Sequence, residues 1–198
     1  SVYGRRLNLQ LGVPGQHMAL NAWFVLAVLN IQGVLKKLSE PELVERFVDF
    51  DLPEGRGNRL SIGLGLRKIV VVNEAYNANP SSMMAVLSAF GQDPTAPHSK
   101  VLILGDMLEL GDLSAESHLN LVPALCTLPV RELLLTGSAM KTVHQKITSQ
   151  QGHSRWFENV EGITQFLIEN LIDADVVMMK ASNGIGLSRI IDALKKNA

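Results

Sequence analysis

Residues 68–80 read KIVVVNEAYNANP, and this stretch decides which fold the sequence predicts. Lys68–Val72 is an apolar run of strand length, and Ser81–Phe90 has helical spacing. The segment between them carries five polar side chains: Asn73, Glu74, Tyr76, Asn77 and Asn79. Asparagine caps helices and binds ligands more readily than it continues a strand. We therefore predict that a strand ends here at a binding crevice, before a helix begins.

The same alternation of apolar runs and helical stretches continues along the chain. Further apolar runs fall at Val101–Leu104, Glu132–Leu135 and Val176–Met179, with short strands expected at Arg59–Leu64 and Arg155–Phe157. Helical stretches lie near Ser114–Leu125, Ser138–Ile147, Val160–Leu171 and Ile185–Lys196. Strands that alternate with helices pair in parallel through right-handed crossovers. The pattern predicts an α/β domain that is doubly wound, Rossmann-like and mostly parallel.

The chain before this domain has a different pattern. Tyr3–Leu11 alternates imperfectly, as in a strand or hairpin, and His17–Ile31 is apolar on most sides, as in a buried helix. Ser39 and Glu42 have the spacing of a capping box, which predicts the start of a second helix. Asp51–Asn58 is rich in Pro and Gly, so we expect a domain linker there.

The composition excludes several classes of protein. The chain is 46% hydrophobic and 19% charged with a net charge of −1, and it has no basic stripe, so we expect no nucleic-acid partner. Its apolar runs are too short to span a membrane, and its start is not a signal peptide. A single cysteine, Cys126, allows no disulfide framework within the chain. We therefore expect a cytoplasmic protein without membrane insertion.

Several catalytic and metal-binding motifs are absent. The sequence has no Gly-Lys dipeptide, so it holds no P-loop, and it has neither a His/Cys metal spacing nor a nucleophile elbow. We predict no metal site among these residues. Because the chain starts at Ser1 rather than at methionine, we expect a fragment or a processed protein.

Polar residues follow four of the predicted strands. They are Asn73–Asn79, Gly105-Asp106, Thr136–Ser138 and Lys180 with Ser182 and Asn183. The carboxyl ends of parallel strands lie along one edge of a sheet, so these residues should meet there. Their mixture of carboxylates, amides and an ammonium group favours a binding site. The alternative is that strand-end loops are polar in any protein of this class.

Single residues of this set have structural alternatives. Asn79, followed by Pro80, either caps the next helix or also contacts a ligand. Asp106 either binds a cation or an amine, or holds its loop in shape. Lys180 either carries positive charge into the crevice or pairs with Glu74 or Asp106.

Residues outside the strand ends add further candidates. Arg56 lies in the flexible linker, where it either forks onto a phosphate or is simply solvated. His17 and Asn21 are four residues apart and share a helix face. Asn21 is conspicuous among apolar neighbours, so it either contacts an adenine or bonds a neighbouring loop. Tyr76 could equally be packing, whereas Asn77 has no visible structural task.

Five segments together resemble the Mur ligase family. They are PGQHMALN at 14–21, Gly55-Arg56, EAYNANP at 74–80, GDMLELG at 105–111 and Lys180-Ala-Ser182. They occur in the family's order and cover nearly the whole chain. The strings around Tyr76 and Asp106 are specific to the member that joins D-alanyl-D-alanine to a UDP-N-acetylmuramoyl-tripeptide in peptidoglycan synthesis.

The resemblance implies the domain organisation and the chemistry. Residues 1–52 would be the C-terminal end of a central ATP-binding domain, and residues 53–198 the C-terminal Rossmann-like ligase domain, which acts as a lid. The uridine-nucleotide domain, the P-loop and the magnesium ligands would lie upstream. ATP, UDP-N-acetylmuramoyl-peptide and D-alanyl-D-alanine would be the ligands of the whole enzyme, and this chain alone would be inactive.

The resemblance also implies roles for single residues. Asn21, with His17 beside it, would contact adenine, while Arg56 and Glu74 would approach the ribose and phosphates of ATP. Tyr76, Asn77 and Asn79 would lie near the dipeptide, and we expect Asp106, Lys180 and Ser182 to line the same substrate cleft.

Two positions depart from the family pattern. Met18 replaces an asparagine, which puts one adenine contact in question. Ala181 replaces a glycine, and its methyl group would restrict a positive φ or a close ligand approach.

Two other functions stay open. One is a non-catalytic nucleotide- or peptide-binding module with the same fold. The other is a Mur-type ligase that adds a different amino acid.

Overall fold

The computed structural model describes residues 8–11, 16–48 and 53–197, and for residues 16–18 it describes the backbone alone. The chain divides into two compact units, Ser1–Pro53 and Glu54–Ala198. Across the described ranges, every helix falls short of the length and hydropathy that crossing a lipid bilayer requires.

The first unit is helical in its described part. It contains helix α1 (Gln16–Ile31), a 3-10 turn (Leu35–Lys37) and helix α2 (Glu40–Val48). The predicted capping box is confirmed, because the Ser39 N–H donates to the Glu42 carboxylate at 2.8 Å and the Glu42 N–H donates to Ser39 Oγ at 3.4 Å. These bonds satisfy two N–H groups that the first helical turn leaves free.

One prediction for this unit is wrong, and a second is contradicted in the part that the structure describes. The α1 helix is not buried: Leu20, Trp23, Phe24, Val25, Val28 and Ile31 are all exposed. A small cluster around Leu26, Leu35 and Leu43 covers only one side of α1. Of the strand or hairpin predicted for Tyr3–Leu11, residues 3–7 lie outside the described part of the chain, and residues 8–11 are not in a strand. A strand needs a hydrogen-bonded neighbour, and the described part of this unit contains none.

The second unit is built on one sheet of six strands. They are β1 (Asn58–Leu64), β2 (Arg67–Glu74), β3 (Lys100–Gly105), β4 (Glu132–Thr136), β5 (Arg155–Phe157) and β6 (Val176–Lys180). Their spatial order is β1-β2-β6-β3-β4-β5. Only β1 is antiparallel, to β2, and all other pairs are parallel. The predicted mostly parallel α/β sheet is confirmed.

Helices cover both faces of this sheet, as expected for a doubly wound fold. They are α3 (Pro80–Gln92), α4 (Ser114–Leu119), α5 (Val122–Thr127), α6 (Ser138–Ser149), α7 (Val160–Asn170) and α8 (Arg189–Lys196). The single helix predicted for Ser114–Leu125 is two helices, because Pro123 cannot donate the bond that would continue α4. The last helix begins four residues later than predicted, after Gly186 takes a φ of +78°.

The core consists of two apolar layers, one on each face of the sheet. On one face α7 and α8 pack through Ile163, Leu167 and Ile190. On the other face α3, α5 and α6 pack through a second set that includes Met83, Leu125 and Met140. The central strand β3 is buried along its whole length, as its continuous apolar run predicts.

Strand register aligns several of the predicted site residues. Glu74 of β2 pairs with Lys180 of β6, which in turn pairs with Leu104 of β3. Gly105 pairs with Thr136 of β4. The strands β2, β6, β3 and β4 therefore end at the same level, and we call this side of the sheet the carboxyl edge. The side at which these strands begin is the amino edge.

Candidate functional site

The carboxyl edge brings together residues that are far apart in the sequence. Eight of the ten predicted site residues belong to it: Arg56, Glu74, Tyr76, Asn77, Asn79, Asp106, Lys180 and Ser182. Two segments follow the strands, namely residues 75–79 (the β2 loop) and residues 106–110 (the β3 loop). Since β6 lies between β2 and β3, its end lies between these two loops.

Lys180 is buried, with 3% of its surface exposed, and it contacts the β2 side of the edge. Its Nζ donates to the carbonyl oxygen of Asn77 at 2.8 Å and to that of Glu74 at 3.5 Å, and it lies 3.7 Å from the Glu74 carboxylate. Of the two partners that the sequence allowed, Glu74 is therefore the one observed. Burial lowers the pKa of the Lys180 ammonium, and the Glu74 carboxylate opposes this shift.

Asp106 is buried and bonds the start of α6. Its carboxylate accepts the N–H groups of Met140 at 2.8 Å and Ala139 at 3.1 Å, as well as the Ser138 hydroxyl at 3.4 Å. A carboxylate at a helix N-terminus satisfies free N–H groups and complements the helix dipole. The structural alternative for Asp106 is thus observed, and its contact with a ligand stays a prediction.

Ser182 joins β6 to the β3 loop. Its N–H donates to the Asp106 carbonyl at 3.1 Å, and its Oγ accepts the Leu108 N–H at 2.9 Å. Between Lys180 and Ser182, the methyl group of Ala181 is fully buried in the core. Ala181 does not have a positive φ, so the alanine causes no backbone strain there. Opposite Ala181 the chain has Gly105, where a Cβ would come within 2.8 Å of the alanine methyl.

Arg56 and Tyr76 form the exposed part of the edge. The Arg56 guanidinium lies 4.2 Å from the centre of the Tyr76 ring, and 49% of the tyrosine is exposed. The turn that carries Arg56 is attached to the β2 loop, because the Tyr76 N–H donates to the Gly55 carbonyl at 3.1 Å. Gly55 has a φ of +80°, and a Cβ there would meet the Tyr76 backbone at 2.9 Å. The described end of the predicted linker is therefore ordered on this unit.

Three asparagines shape the β2 loop. Asn79 caps α3 in a reciprocal capping box with Ser82. The Asn77 side chain is exposed, and its Oδ1 accepts the Ala78 N–H at 2.8 Å. Asn73 is fully buried, and its Oδ1 accepts the Ala75 N–H at 3.0 Å. Its Nδ2 has no hydrogen-bond partner within the described part of the chain.

Two residues outside the predicted site also shape this edge. Gly137, at the start of α6, has a φ of +107°, and any Cβ there would overlap the Asp106 carboxylate. His118 is buried, and its Nε2 accepts the Met107 N–H at 2.9 Å while its Nδ1 lies 2.7 Å from the Ser114 carbonyl. It is the satisfied core histidine that is usual for a lone histidine on a helix. Neither contact has a signal in the sequence, because both depend on which elements are neighbours in space.

The remaining two predicted site residues belong to the first unit. Asn21 is exposed on α1, while the side chains of His17 and Met18 lie outside the described part of the chain. Within the described residues, no group of three His, Cys, Asp or Glu side chains is arranged to hold a metal ion.

The exposed groups of the carboxyl edge have the chemistry of a polar, anionic ligand site. A guanidinium can fork onto a phosphate, and it lies on an aromatic ring that a ligand can also contact. The half-buried Glu74 carboxylate can accept hydrogen bonds from hydroxyl or amino groups. Asn77 adds an exposed amide, which can donate as well as accept.

Solved structures share this fold. The chain superposes on a crystal structure of MurF from Acinetobacter baumannii with a TM-score of 0.79 and 22% identity, covering 95% of this chain and 40% of that one. It also matches the MurF ligase of Thermotoga maritima in complex with ADP, with a TM-score of 0.63 and 21% identity, covering 87% of this chain and 36% of that one.

Curated relatives match over most of the chain. It is 29% identical to the UDP-N-acetylmuramoyl-tripeptide–D-alanyl-D-alanine ligase of Rickettsia prowazekii over 177 residues, which is 89% of this chain and 37% of the relative. It is 30% identical to the enzyme of that name from Mycobacterium bovis, over 94% of this chain and 39% of the relative. The chain thus spans about two fifths of the length of these relatives.

A model of a protein family also matches this chain by its sequence. The model described as "Mur ligase, glutamate ligase domain" matches residues 58–183, which include every strand of the sheet. This match covers well over half of the chain. The chain therefore belongs to the Mur ligase family.

Proposed function

We propose that this chain is the C-terminal part of an ATP-dependent ligase that joins D-alanyl-D-alanine to a UDP-N-acetylmuramoyl-tripeptide in peptidoglycan synthesis. The observation that carries the proposal is the position of the segments that resemble this ligase. EAYNANP, GDMLELG and Lys180-Ala-Ser182 are distant in sequence, yet Lys180 and Ser182 bond the first two directly. Segments that meet at one edge of a parallel sheet are expected to serve one ligand site.

The exposed residues of the edge are assigned to the ligands. Arg56 and Glu74 would bind the phosphates and ribose of ATP, and Tyr76 and Asn77 would line the place of the dipeptide. An exposed guanidinium beside a half-buried carboxylate supports this assignment, because the pair can bind phosphate and hydroxyl groups together. In the first unit, Asn21 would contact adenine, with His17 beside it.

The chemistry is the formation of an amide at the expense of ATP. The γ-phosphoryl group passes to a carboxylate of the tripeptide and leaves ADP. The dipeptide amine then attacks the acyl phosphate, loses a proton and expels phosphate. This chain would contribute positioning and charge neutralisation, since phosphoryl transfer depends mostly on these two effects.

Other parts of the complete protein would supply the remaining groups. Magnesium would be held outside the residues described here, which offer it no cluster of ligands. The P-loop and the uridine-nucleotide domain would likewise lie elsewhere in the protein. The exposed apolar side chains of α1 support the presence of further domains in the complete protein. A helix that is apolar on most sides is normally covered by other parts of a protein. We place the reaction in the cytoplasm, where ATP and nucleotide-linked precursors are available.

The test is an assay of the complete protein encoded by the gene that contains this chain. Phosphate release is measured with ATP and the UDP-N-acetylmuramoyl-tripeptide, in the presence of D-alanyl-D-alanine or of single amino acids, including glutamate. Turnover that requires D-alanyl-D-alanine is expected, together with none from the 198-residue chain alone. Turnover with glutamate or another single amino acid would indicate a different ligase, and binding without any turnover would indicate a binding module.

A further inference from the structure

Strand β6 ends between the two loops of the carboxyl edge and bonds both of them. Lys180, its last residue, contacts the β2 loop through the Asn77 carbonyl. Ser182, two residues further on, contacts the β3 loop through the Leu108 N–H and the Asp106 carbonyl. Neither loop belongs to a helix or a strand at these positions. The end of β6 is therefore placed to set the separation and orientation of both loops.

The Lys180 ammonium has its observed partners within the protein. Of its three N–H groups, two donate to carbonyl oxygens, those of Asn77 and Glu74, and the Glu74 carboxylate lies 3.7 Å from Nζ as an ion-pair partner. With 3% of its surface exposed, the side chain also has little access to solvent. The ammonium is therefore directed at the β2 side of the edge and away from solvent.

Ser182 has a similar position. It is buried, and its Oγ already accepts the Leu108 N–H at 2.9 Å. The Ser182 N–H is used as well, on the Asp106 carbonyl. The Asp106 carboxylate in turn accepts two N–H groups at the start of α6. Through Asp106, Ser182 is therefore connected to α6 as well as to the β3 loop.

We propose that Lys180 and Ser182 are positioning residues, which hold the β2 loop and the β3 loop in place and do not themselves contact a ligand. The exposed groups Tyr76 and Asn77 on the β2 loop would then owe their orientation to Lys180. This inference rests on the proposed function for its catalytic consequence, but its structural part can be tested without any enzyme activity.

The structural test compares two variants of the 198-residue chain, and each variant removes the contact to one of the two loops. Amide hydrogen exchange is followed by NMR in Lys180→Met and in Ser182→Ala, with Leu102 and Ile103 of β3 as reporters of global stability. Lys180→Met should speed exchange at Tyr76 and Ala78 by about tenfold or more, relative to the core, and leave Met107 unchanged. Ser182→Ala should speed exchange at Met107 and leave Tyr76 and Ala78 unchanged.

A third variant is the matched control. Lys100 is as buried as Lys180, and its Nζ also bonds backbone carbonyls, those of Phe90 at 2.8 Å and Asp93 at 2.7 Å, but at the amino edge. Lys100→Met should therefore loosen the end of α3 and neither loop. The proposal would be overturned if Lys180→Met accelerated amide exchange equally at both loops. It would also be overturned if exchange at the β2 loop accelerated no more than exchange in the core.

The functional test uses the complete protein. If the wild-type protein is a ligase, Lys180→Met should lower kcat/KM for the dipeptide on the order of a hundredfold, since small displacements of positioning groups have effects of this size. Lys100→Met should stay within about twofold of wild type, after correction for the folded fraction. Equal losses in both variants would show a purely structural role for Lys180. An inactive wild-type protein would count against the proposed function and leave the exchange result to decide the positioning role.

Discussion

The two edges of the sheet contain the same buried chemistry but differ in what surrounds it. Each edge has a buried lysine bonded to backbone carbonyls, Lys180 at the carboxyl edge and Lys100 at the amino edge. Each also has a buried carboxylate, Asp106 and Asp175 respectively. Asp175 pairs with Arg131 and accepts the Ile172 N–H, so its contacts lie within the connections that lead into β4 and β6.

The difference lies in the exposed groups. At the amino edge, Lys100 is the first residue of β3, and it bonds the end of α3, the α-helix that precedes this strand in the chain. At the carboxyl edge, Lys180 reaches a loop of a different strand, and that loop presents Tyr76 and Asn77 to solvent. A buried charge is therefore a poor marker of a functional site by itself. Exposed polar and aromatic groups held by such a charge are the better marker.

The largest effect on stability is expected for Gly137→Ala at the carboxyl edge. The φ of +107° is strained for alanine, and its Cβ would overlap the Asp106 carboxylate that caps α6. Strain and overlap together should lower the free energy of unfolding by about 4 kcal/mol. Urea denaturation of the 198-residue chain measures this loss.

Gly65→Ala is the control for that substitution. Gly65 has a φ of +61° but open space around its Cβ position, so it should show the cost of strain alone, about 1 kcal/mol. If Gly137→Ala lowered the free energy of unfolding no more than Gly65→Ala does, this would contradict the close contact between Asp106 and Gly137.

Sequence patterns could predict the sheet and the meeting of the candidate site residues at its carboxyl edge, because both depend on local periodicity and on a general rule for parallel strands. They could not predict the partner of Lys180, since β6 lies between β2 and β3 and the Lys180 side chain could contact Glu74 or Asp106. The ion pair with Glu74 depends on side-chain geometry, which the sequence does not show. The exposure of α1 was missed for a similar reason. An apolar helix indicates that something covers it, but not that the covering part lies within the same 198 residues.

Asp106→Asn should have a smaller effect than Gly137→Ala. The amide would turn an NH₂ group toward one of the two N–H groups that Asp106 now accepts, and it would remove a charge from the N-terminus of α6. A loss of about 2 kcal/mol in the free energy of unfolding is expected. The exposed Asp112, in the 3-10 turn after the same loop, is the matched control, and its replacement by Asn should change stability by less than about 0.5 kcal/mol. Equal effects would mean that Asp106 does not cap α6.

The pH dependence of Lys180→Met tests the burial of charge at the carboxyl edge. Burial lowers the pKa of Lys180 from its ordinary 10.5, so the unfolded chain holds this proton more tightly than the folded chain. Between the lowered pKa and 10.5, raising the pH should therefore stabilise the wild type relative to Lys180→Met. Denaturation curves of both proteins across this range measure the difference, and a constant difference would contradict the shift.

Asp175→Asn gives the corresponding test at the amino edge, with the opposite sign. Burial raises the pKa of the Asp175 carboxyl above 3.8, against the opposing effect of Arg131. The stabilisation of the protonated form is complete below 3.8 and is lost as the pH rises through the pKa of the folded state. The wild type should thus lose stability relative to Asp175→Asn as the pH increases across this acidic window. A gain instead would show that the ion pair with Arg131 outweighs burial.

Ligation kinetics of Glu74→Gln and Glu132→Gln, both in the complete protein, test most directly whether the carboxyl edge serves the reaction. Both glutamates lie at a strand end and pair with a cation, Glu74 with Lys180 at 3.7 Å and Glu132 with Arg155 at 3.1 Å, but Glu132 is at the amino edge. Glu74→Gln should lower kcat/KM for the D-alanyl-D-alanine reaction on the order of a hundredfold, and Glu132→Gln should stay within about twofold of wild type. Wild-type turnover in Glu74→Gln, or an equal loss in Glu132→Gln, would contradict a functional carboxyl edge.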